Sequence, residues 1–139
     1  MARIKHIALS TDDPVKTAAF YKEAFGLTEL DREPKGTGAK AVWLTDGYIW
    51  VAILKHGSDY ARKTATPGFD HLGFYVDNLQ EARKAVEGAP GHGKEVSRDP
   101  KRMPQYIAPD GIEVEFRVSG DHWDPMIKAK AKLHKLILA

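Results

Sequence analysis

The chain has 139 residues, of which 42% are apolar and 29% charged, and this composition is typical of one globular domain. Its 21 basic and 19 acidic residues leave a net charge of only +2, which gives little of the one-signed field that nucleic-acid binding needs. Because there is no cysteine, disulfides and thiolate chemistry are excluded, and any metal must be held by nitrogen and oxygen ligands.

The hydropathy pattern predicts a cytoplasmic protein that does not interact with membranes. Residues 1–6 lack the apolar stretch of a signal peptide. The longest apolar run, at 49–54, is far too short to cross a bilayer.

The first half of the chain begins with a strand and a helix. Residues 3–10 are short, β-branched and alternating, which predicts a strand. Asp13 is a suitable N-cap and Pro14 a suitable first helical residue, so a helix is predicted over 14–25, where Gly26 ends the pattern. Turn residues then separate three strand-like runs, at 27–32, 39–45 and 48–54.

The second half repeats this order after a polar linker at about 56–67. A strand at 69–76 leads to Asn78, which can cap a helix and form a capping box with Glu81. Three more strand-like runs follow, at 94–98, 104–108 and 112–118.

The two halves match residue by residue, which indicates an internally duplicated fold. The segment 6–9 lies against 71–74, and 12–13 against 77–78, at a constant offset of 65. We therefore predict a single α+β domain over 1–139, made of two βαβββ modules. Their bounds are about 1–55 for module 1, about 56–67 for the linker and about 68–120 for module 2.

A terminal amphipathic helix is predicted at about 125–139. Its apolar residues lie on one stripe, namely Met126, Ala129, Leu133, Leu136 and Ile137. The pattern leaves open whether this stripe packs on its own domain or on a partner subunit.

Two strand histidines occupy equivalent positions of the repeat. Period-two alternation puts His6 on one face with Ala8, and His71 on one face with Gly73 and Tyr75, in both cases away from the side where a helix would pack. A single strand histidine is usually structural, but two equivalent imidazoles on faces with small residues indicate a metal site. Near the end, Glu113 and Glu115 share one face of a strand that follows a tight turn.

In these segments the chain resembles the vicinal oxygen chelate superfamily. That group includes glyoxalase I, bleomycin-resistance proteins, methylmalonyl-CoA epimerase and extradiol ring-cleaving dioxygenases. The residues that carry the resemblance span 5–9, 13–27, 70–74 and 109–115, although Ile112 stands where the family's turn has asparagine. The resemblance implies that the modules pair into a curled eight-stranded mixed sheet with a metal in its cup, bound by His6, His71 and Glu115.

This chain has no metal-binding residue at the family's fourth ligand position. The offset of 65 assigns Trp50 to it, and alignment of the two Asp-Gly turns assigns Val51; neither binds metal. Four-ligand members such as glyoxalase I and the epimerase are therefore disfavoured, and a 2-His-1-carboxylate set with open positions remains, which suits non-haem Fe(II). The extradiol pattern is also incomplete, because Gln105 stands where those enzymes have tyrosine, with Tyr106 one residue out of register.

The resulting prediction is a metal-dependent, dioxygenase-like enzyme that acts on a small substrate with adjacent oxygens. Fe(II) is favoured, while Mn(II), Zn(II) and Ni(II) stay open. Tyr75 is the candidate acid/base or substrate-orienting residue. The alternatives are a glyoxalase-type lyase or isomerase, or a metal-free drug-binding resistance protein. A homodimer is expected, because the superfamily tends to complete its cup with a neighbouring chain.

Overall fold

The structure, a computed structural model, describes residues 2–97, 103–118 and 122–138. Its strands are β1 (Arg3–Thr11), β2 (Thr28–Glu33), β3 (Ala41–Thr45), β4 (Trp50–Lys55), β5 (Gly68–Tyr75), β6 (Glu95–Ser97), β7 (Gln105–Ile107) and β8 (Glu113–Arg117). Its helices are α1 (Pro14–Phe25), α2 (Leu79–Gly88) and α3 (Asp124–Leu138). They confirm the predicted βαβββ order of each half and the terminal helix. Residue 98 of the predicted sixth strand and residue 139 lie outside the described residues.

The strands form one eight-stranded mixed sheet in the order β2-β3-β4-β1-β5-β8-β7-β6, as the fold prediction required. Contacts divide the chain into two compact units. The 71–120 unit comprises Met1–Lys5 and His71–Gly120, and the 6–70 unit comprises His6–Asp70 and Asp121–Ala139.

In the 6–70 unit, helix α1 begins and ends at the residues that the sequence indicates. The Asp13 side chain accepts a hydrogen bond from the Lys16 amide, and Pro14 occupies the first turn. Gly26 ends the helix with a left-handed backbone, φ 69°, which glycine adopts without steric cost. Helix α1 packs on one face of strands β3 and β4, where the buried residues are Ala18, Ala39, Val42, Leu44 and Ile53.

The opposite face of the same strands packs against helix α3. Trp123 and Ile127 are buried there in a cluster with Ala8, Ala41, Trp50, Ala52 and Leu54. The approach of α3 is close, since a Cβ on Gly47 would lie 2.8 Å from the Ala131 nitrogen. This contact answers the question that the sequence left open, because part of α3 packs within its own chain. Other apolar residues of the helix remain exposed: Met126, Leu133 and Leu136.

In the 71–120 unit, β5 pairs with β8 in parallel, and β8 pairs with β7 and β7 with β6 in antiparallel order. Helix α2 starts at the predicted cap, where the Asn78 side chain accepts a hydrogen bond from the Glu81 amide. Tyr106 links this helix to the sheet: its hydroxyl donates to Glu87 Oε1 at 2.8 Å. Its ring stacks on Phe116 at a centroid distance of 5.9 Å. The even-numbered residues of β7 and β8 therefore face α2, and the odd-numbered ones face away from it.

Candidate metal centre

His71 and Glu115 lie together on neighbouring strands of the 71–120 unit. In the parallel register of β5 and β8, Gly73 stands opposite Glu115 and His71 opposite Glu113. The Nε2 atom of His71 lies 3.2 Å from Oε1 of Glu115, and the Glu115 side chain is almost fully buried. Both side chains are on the sheet face that α2 does not cover, as strand alternation predicts.

The second oxygen of Glu115 has a different neighbour. Gln105 stands directly opposite Glu115 in the antiparallel β7–β8 pair. Its Nε2 donates a hydrogen bond to Glu115 Oε2 at 3.1 Å. The two carboxylate oxygens of Glu115 are therefore distinguished by their surroundings, one beside an imidazole and one beside an amide.

His6 belongs to the face of the 6–70 unit that packs against α3. The side chain is 2% exposed, and its ring stacks on Trp50 with centroids 3.8 Å apart and planes inclined by 12°. Trp50 in turn contacts Trp123, the residue before α3, edge-on at 5.3 Å. This stacking fixes the plane of the His6 imidazole.

The structure brings together the three residues that the sequence nominated. His6, His71 and Glu115 each offer one ligand atom, and these atoms lie within 4.8 Å of one another. Adjacent ligands at about 2.0 to 2.2 Å from a common ion stand roughly 3 Å apart, and the His71–Glu115 distance of 3.2 Å agrees with that spacing. Two imidazoles and a carboxylate are borderline-hard donors, so the set fits a divalent first-row metal ion.

The register of the strands corrects the position of the missing fourth ligand. In the 71–120 unit, Glu115 stands opposite Gly73. In the 6–70 unit the equivalent of Gly73 is Ala8, and its partner on β4 is Ala52. The assignments to Trp50 and Val51 are therefore wrong, and Ala52 is the counterpart of Glu115. An alanine cannot bind metal, so the position is still without a ligand.

Tyr75, the candidate acid/base residue, is buried among cations in the 71–120 unit. The guanidinium of Arg3 lies 5.4 Å from the centre of its ring and the Lys5 ammonium 5.2 Å. These contacts are cation–π interactions, which stabilise the position of the ring. The acid/base role remains a prediction.

Glu113 and Tyr106, two further residues on strands β8 and β7, are both buried. Glu113, which shares the strand face of Glu115, is only 4% exposed and is therefore not a solvent-facing residue. Tyr106 lies on the α2 side of its strand, as a slip of one residue requires.

In the sequence Gln105 is notable only because it replaces the family's tyrosine, yet in the structure its amide contacts the candidate ligand Glu115. A signal was present in the sequence, because Gln105 and Glu115 are equally distant from Asp110 at the centre of the turn. Residues at equal distances from the centre of a tight antiparallel connection face each other.

Two of the other histidines have different surroundings. His92 is exposed, and its Nδ1 lies 2.8 Å from the Ala89 carbonyl oxygen. His122 is exposed beside Trp123, with ring centroids 4.6 Å apart. Among the described helices, none is long and apolar enough to span a membrane.

A family model described as Glyoxalase/Bleomycin resistance protein/Dioxygenase superfamily matches residues 3–116. Among solved structures, a hypothetical protein from Bacillus halodurans C-125 is similar with a TM-score of 0.64 and 16% identity, over 87% of this chain and 96% of that one. A Streptomyces coelicolor methylmalonyl-CoA epimerase variant, in complex with 2-nitronate-propionyl-CoA, has a TM-score of 0.60 and 18% identity over 85% and 94% of the two chains. These likenesses show the fold. Among curated proteins the sequence has no significant match.

Proposed function

Since the chain belongs to the Glyoxalase/Bleomycin resistance protein/Dioxygenase superfamily, we propose that it is a metal-dependent enzyme acting on a small substrate with two adjacent oxygens. One observation carries this proposal: His6, His71 and Glu115 offer three ligand atoms within 4.8 Å of one another. A divalent ion held by them would act as a Lewis acid toward the two substrate oxygens. Fe(II) is favoured by the 2-His-1-carboxylate set, and Mn(II), Zn(II) and Ni(II) are the alternatives.

The burial of these residues supports a bound cation. A buried carboxylate is costly unless positive charge or hydrogen bonds compensate it, and Glu115 is only 3% exposed. The His71 imidazole beside it can ligate as a neutral group. Stacking on Trp50 holds the His6 ring in one plane, which reduces the rotamer entropy that binding would cost.

The dioxygenase-like subclass is favoured by Ala52. Because the counterpart of Glu115 is an alanine, only three protein ligands are available, and the remaining coordination positions can accept substrate oxygens. Lyase or isomerase chemistry of the glyoxalase type is the alternative. In either case Tyr75 is proposed to orient the substrate or to exchange a proton with it.

A metal-free, small-molecule-binding protein is the second candidate function, and the tryptophans favour it. All three tryptophans of the chain lie together in the 6–70 unit, with Trp43 and Trp50 each 5.3 Å from Trp123. Trp43 is only partly buried against this core, and an accessible aromatic ring suits a planar ligand, as in a drug-binding resistance protein.

Metal analysis separates the two candidates. We expect the protein, purified without added metal, to contain about one divalent ion per chain by mass spectrometry, and the variants His6→Ala and His71→Ala to lose it. The exposed His92→Ala variant is the matched control and should retain the ion. A wild-type protein that neither contains nor takes up Fe(II), Mn(II), Zn(II) or Ni(II) would favour the binding protein. For the Fe(II) protein, oxygen consumption with an aromatic substrate bearing two adjacent hydroxyls then tests the dioxygenase subclass.

The proposal includes a homodimer in the cytoplasm. Its structural support is the apolar stripe of α3 that remains exposed, formed by Met126, Leu133 and Leu136. Light scattering at high micromolar concentration should give the mass of a dimer. A monomer at that concentration would contradict this part of the proposal.

A further inference from the structure

The hydrogen bond between Gln105 and Glu115 is direct and structurally constrained. The two residues are opposite partners in the β7–β8 pair, so their side chains leave neighbouring strands side by side. Gln105 Nε2 donates to Oε2 of Glu115 at 3.1 Å, while Oε1 of the same carboxylate lies 3.2 Å from His71 Nε2. Each oxygen of Glu115 thus faces a different group.

The Gln105 amide and the Glu115 carboxylate differ in which of them can bind a metal ion. An amide nitrogen donates hydrogen bonds and is not a metal ligand, whereas the carboxylate oxygens accept hydrogen bonds and bind metal. The oxygen that Gln105 holds is therefore the one turned away from the histidine. The oxygen beside His71 remains the one available to an ion that the imidazole also binds.

We propose that Gln105 is a positioning residue that fixes Glu115 as a ligand through one oxygen. This inference rests on the proposed function, because it assumes the centre formed by His6, His71 and Glu115. A carboxylate held in this way occupies one coordination position instead of two. Together with Ala52 at the fourth ligand position, Gln105 then keeps coordination positions free for a substrate that chelates through two oxygens.

Neighbouring residues cannot substitute for Gln105. Tyr106 points to the other side of β7, where its hydroxyl donates to Glu87. Glu113 shares the face of Glu115, but a carboxylate only accepts hydrogen bonds and cannot donate to another carboxylate. The role therefore requires a donor at position 105.

The variant Gln105→Met tests the inference, because methionine keeps the length of the side chain and removes the donor. We expect Co(II) affinity, measured by calorimetry, to fall about 10- to 100-fold, as it does when the partner of a metal ligand is removed. The visible spectrum of the Co(II) protein should also weaken, because a carboxylate that binds through both oxygens raises the coordination number. Gln80→Met is the matched control, since Gln80 is the only other glutamine of the chain and is exposed on α2.

Wild-type affinity and an unchanged Co(II) spectrum in Gln105→Met would overturn the role of Gln105 while leaving the metal centre intact. An equal loss in Gln80→Met would overturn it too. A wild-type protein that binds no Co(II) would overturn the proposed centre itself, and the inference with it.

A measurement on the wild-type chain covers the case in which Gln105→Met does not fold. The chain has only three side-chain amides, those of Asn78, Gln80 and Gln105, so their NH₂ signals are separable in a nitrogen-15 NMR spectrum. Titration with Zn(II) should move the Gln105 signals and leave the other two in place. If the imidazole signals of His6 and His71 move and those of Gln105 do not, the inference is wrong and the metal centre stands.

Discussion

Oε1 of Glu115 lies 3.2 Å from Nε2 of His71, on the strand that pairs in parallel with the strand of that histidine. On the other face of β8, Phe116 stacks on Tyr106, whose hydroxyl contacts Glu87 of helix α2. Because the two odd-numbered residues His71 and Glu115 point away from α2, the contact between them is separated from the helix-packed side of the unit.

The first prediction separates the two glutamates of β8. Glu115→Gln keeps the shape of the side chain and removes its charge, so we expect affinity for Mn(II) or Zn(II) to fall by more than about 100-fold, beyond the usual cost of losing an outer-shell partner. Glu113→Gln is the matched control and should change affinity little. Calorimetric titration of both variants makes the comparison. Equal losses would mean that the assumed register is wrong, and a loss in Glu113→Gln alone would move the site by one pleat of the strand.

The second prediction concerns Ala52, the counterpart of Glu115. Ala52→Glu supplies the carboxylate that the repeat lacks, and we expect metal affinity to rise by about 10-fold or more while turnover of a substrate with adjacent oxygens is lost. Ala52→Gln fills the same volume without the charge and should not raise affinity. If glutamate and glutamine behave alike, Ala52 is a packing position and not a vacant ligand position.

The third prediction tests the packing of helix α3. Trp123 is buried against Trp43 and Trp50, so Trp123→Ala should destabilise the protein by about 3 to 5 kcal/mol, the usual cost of removing a buried tryptophan. Leu133→Ala, on an exposed part of the same helix, should cost less than about 1 kcal/mol. Urea unfolding measures both free energies. Similar values for the two variants would mean that α3 contributes little to the core.

The fourth prediction concerns a charged cluster around Glu29 in the 6–70 unit. Hydrogen bonds from Arg32, at 2.6 and 2.9 Å, and from Lys22, at 3.1 Å, hold the pKa of Glu29 below its ordinary value of 4.5, although burial acts to raise it. The stability that this cluster provides is therefore fully present above pH 4.5 and is lost as the pH falls through the lowered pKa.

Glu29→Gln should accordingly reduce the free energy of unfolding by up to about 1 kcal/mol at neutral pH, because the group is partly exposed and screened. The difference from wild type should become smaller in acid, at a pH below 4.5. Urea unfolding at the two pH values checks this, with the exposed carboxylate in Glu23→Gln as control. A difference that persists in acid would show that the loss is due to packing rather than charge.

The sequence by itself determined the order of the elements and two of the candidate ligands. Caps and breakers act within a few residues, so Asp13, Pro14 and Gly26 bounded α1 correctly. The duplication identified His6 and His71 together, because equivalent positions of a repeat occupy equivalent positions on their strands. The βαβββ order of each half followed from the same pattern, whereas the single eight-stranded sheet was what the family resemblance implied.

Only the tertiary structure decided which residue is the counterpart of Glu115. Ala52 lies 46 residues after His6 and five after Gly47, whereas Glu115 lies 44 residues after His71 and four after Gly111. Counting along the chain therefore misplaces the register, and it selected Trp50 and then Val51 instead of Ala52. Backbone hydrogen bonds between strands, which sequence offsets do not encode, set that register.

The contact of Gln105 with Glu115 and the packing of α3 on its own chain were likewise decided in three dimensions. Gln105 is ten residues from its partner, and only the pairing of β7 with β8 brings the amide and the carboxylate together. For α3, the apolar stripe fitted either its own chain or a second subunit. Trp123 and Ile127 are buried against a sheet face that is assembled from strands distant in sequence. Because the hydrophobic effect is non-directional, the apolar stripe of α3 alone does not specify which apolar surface it packs on.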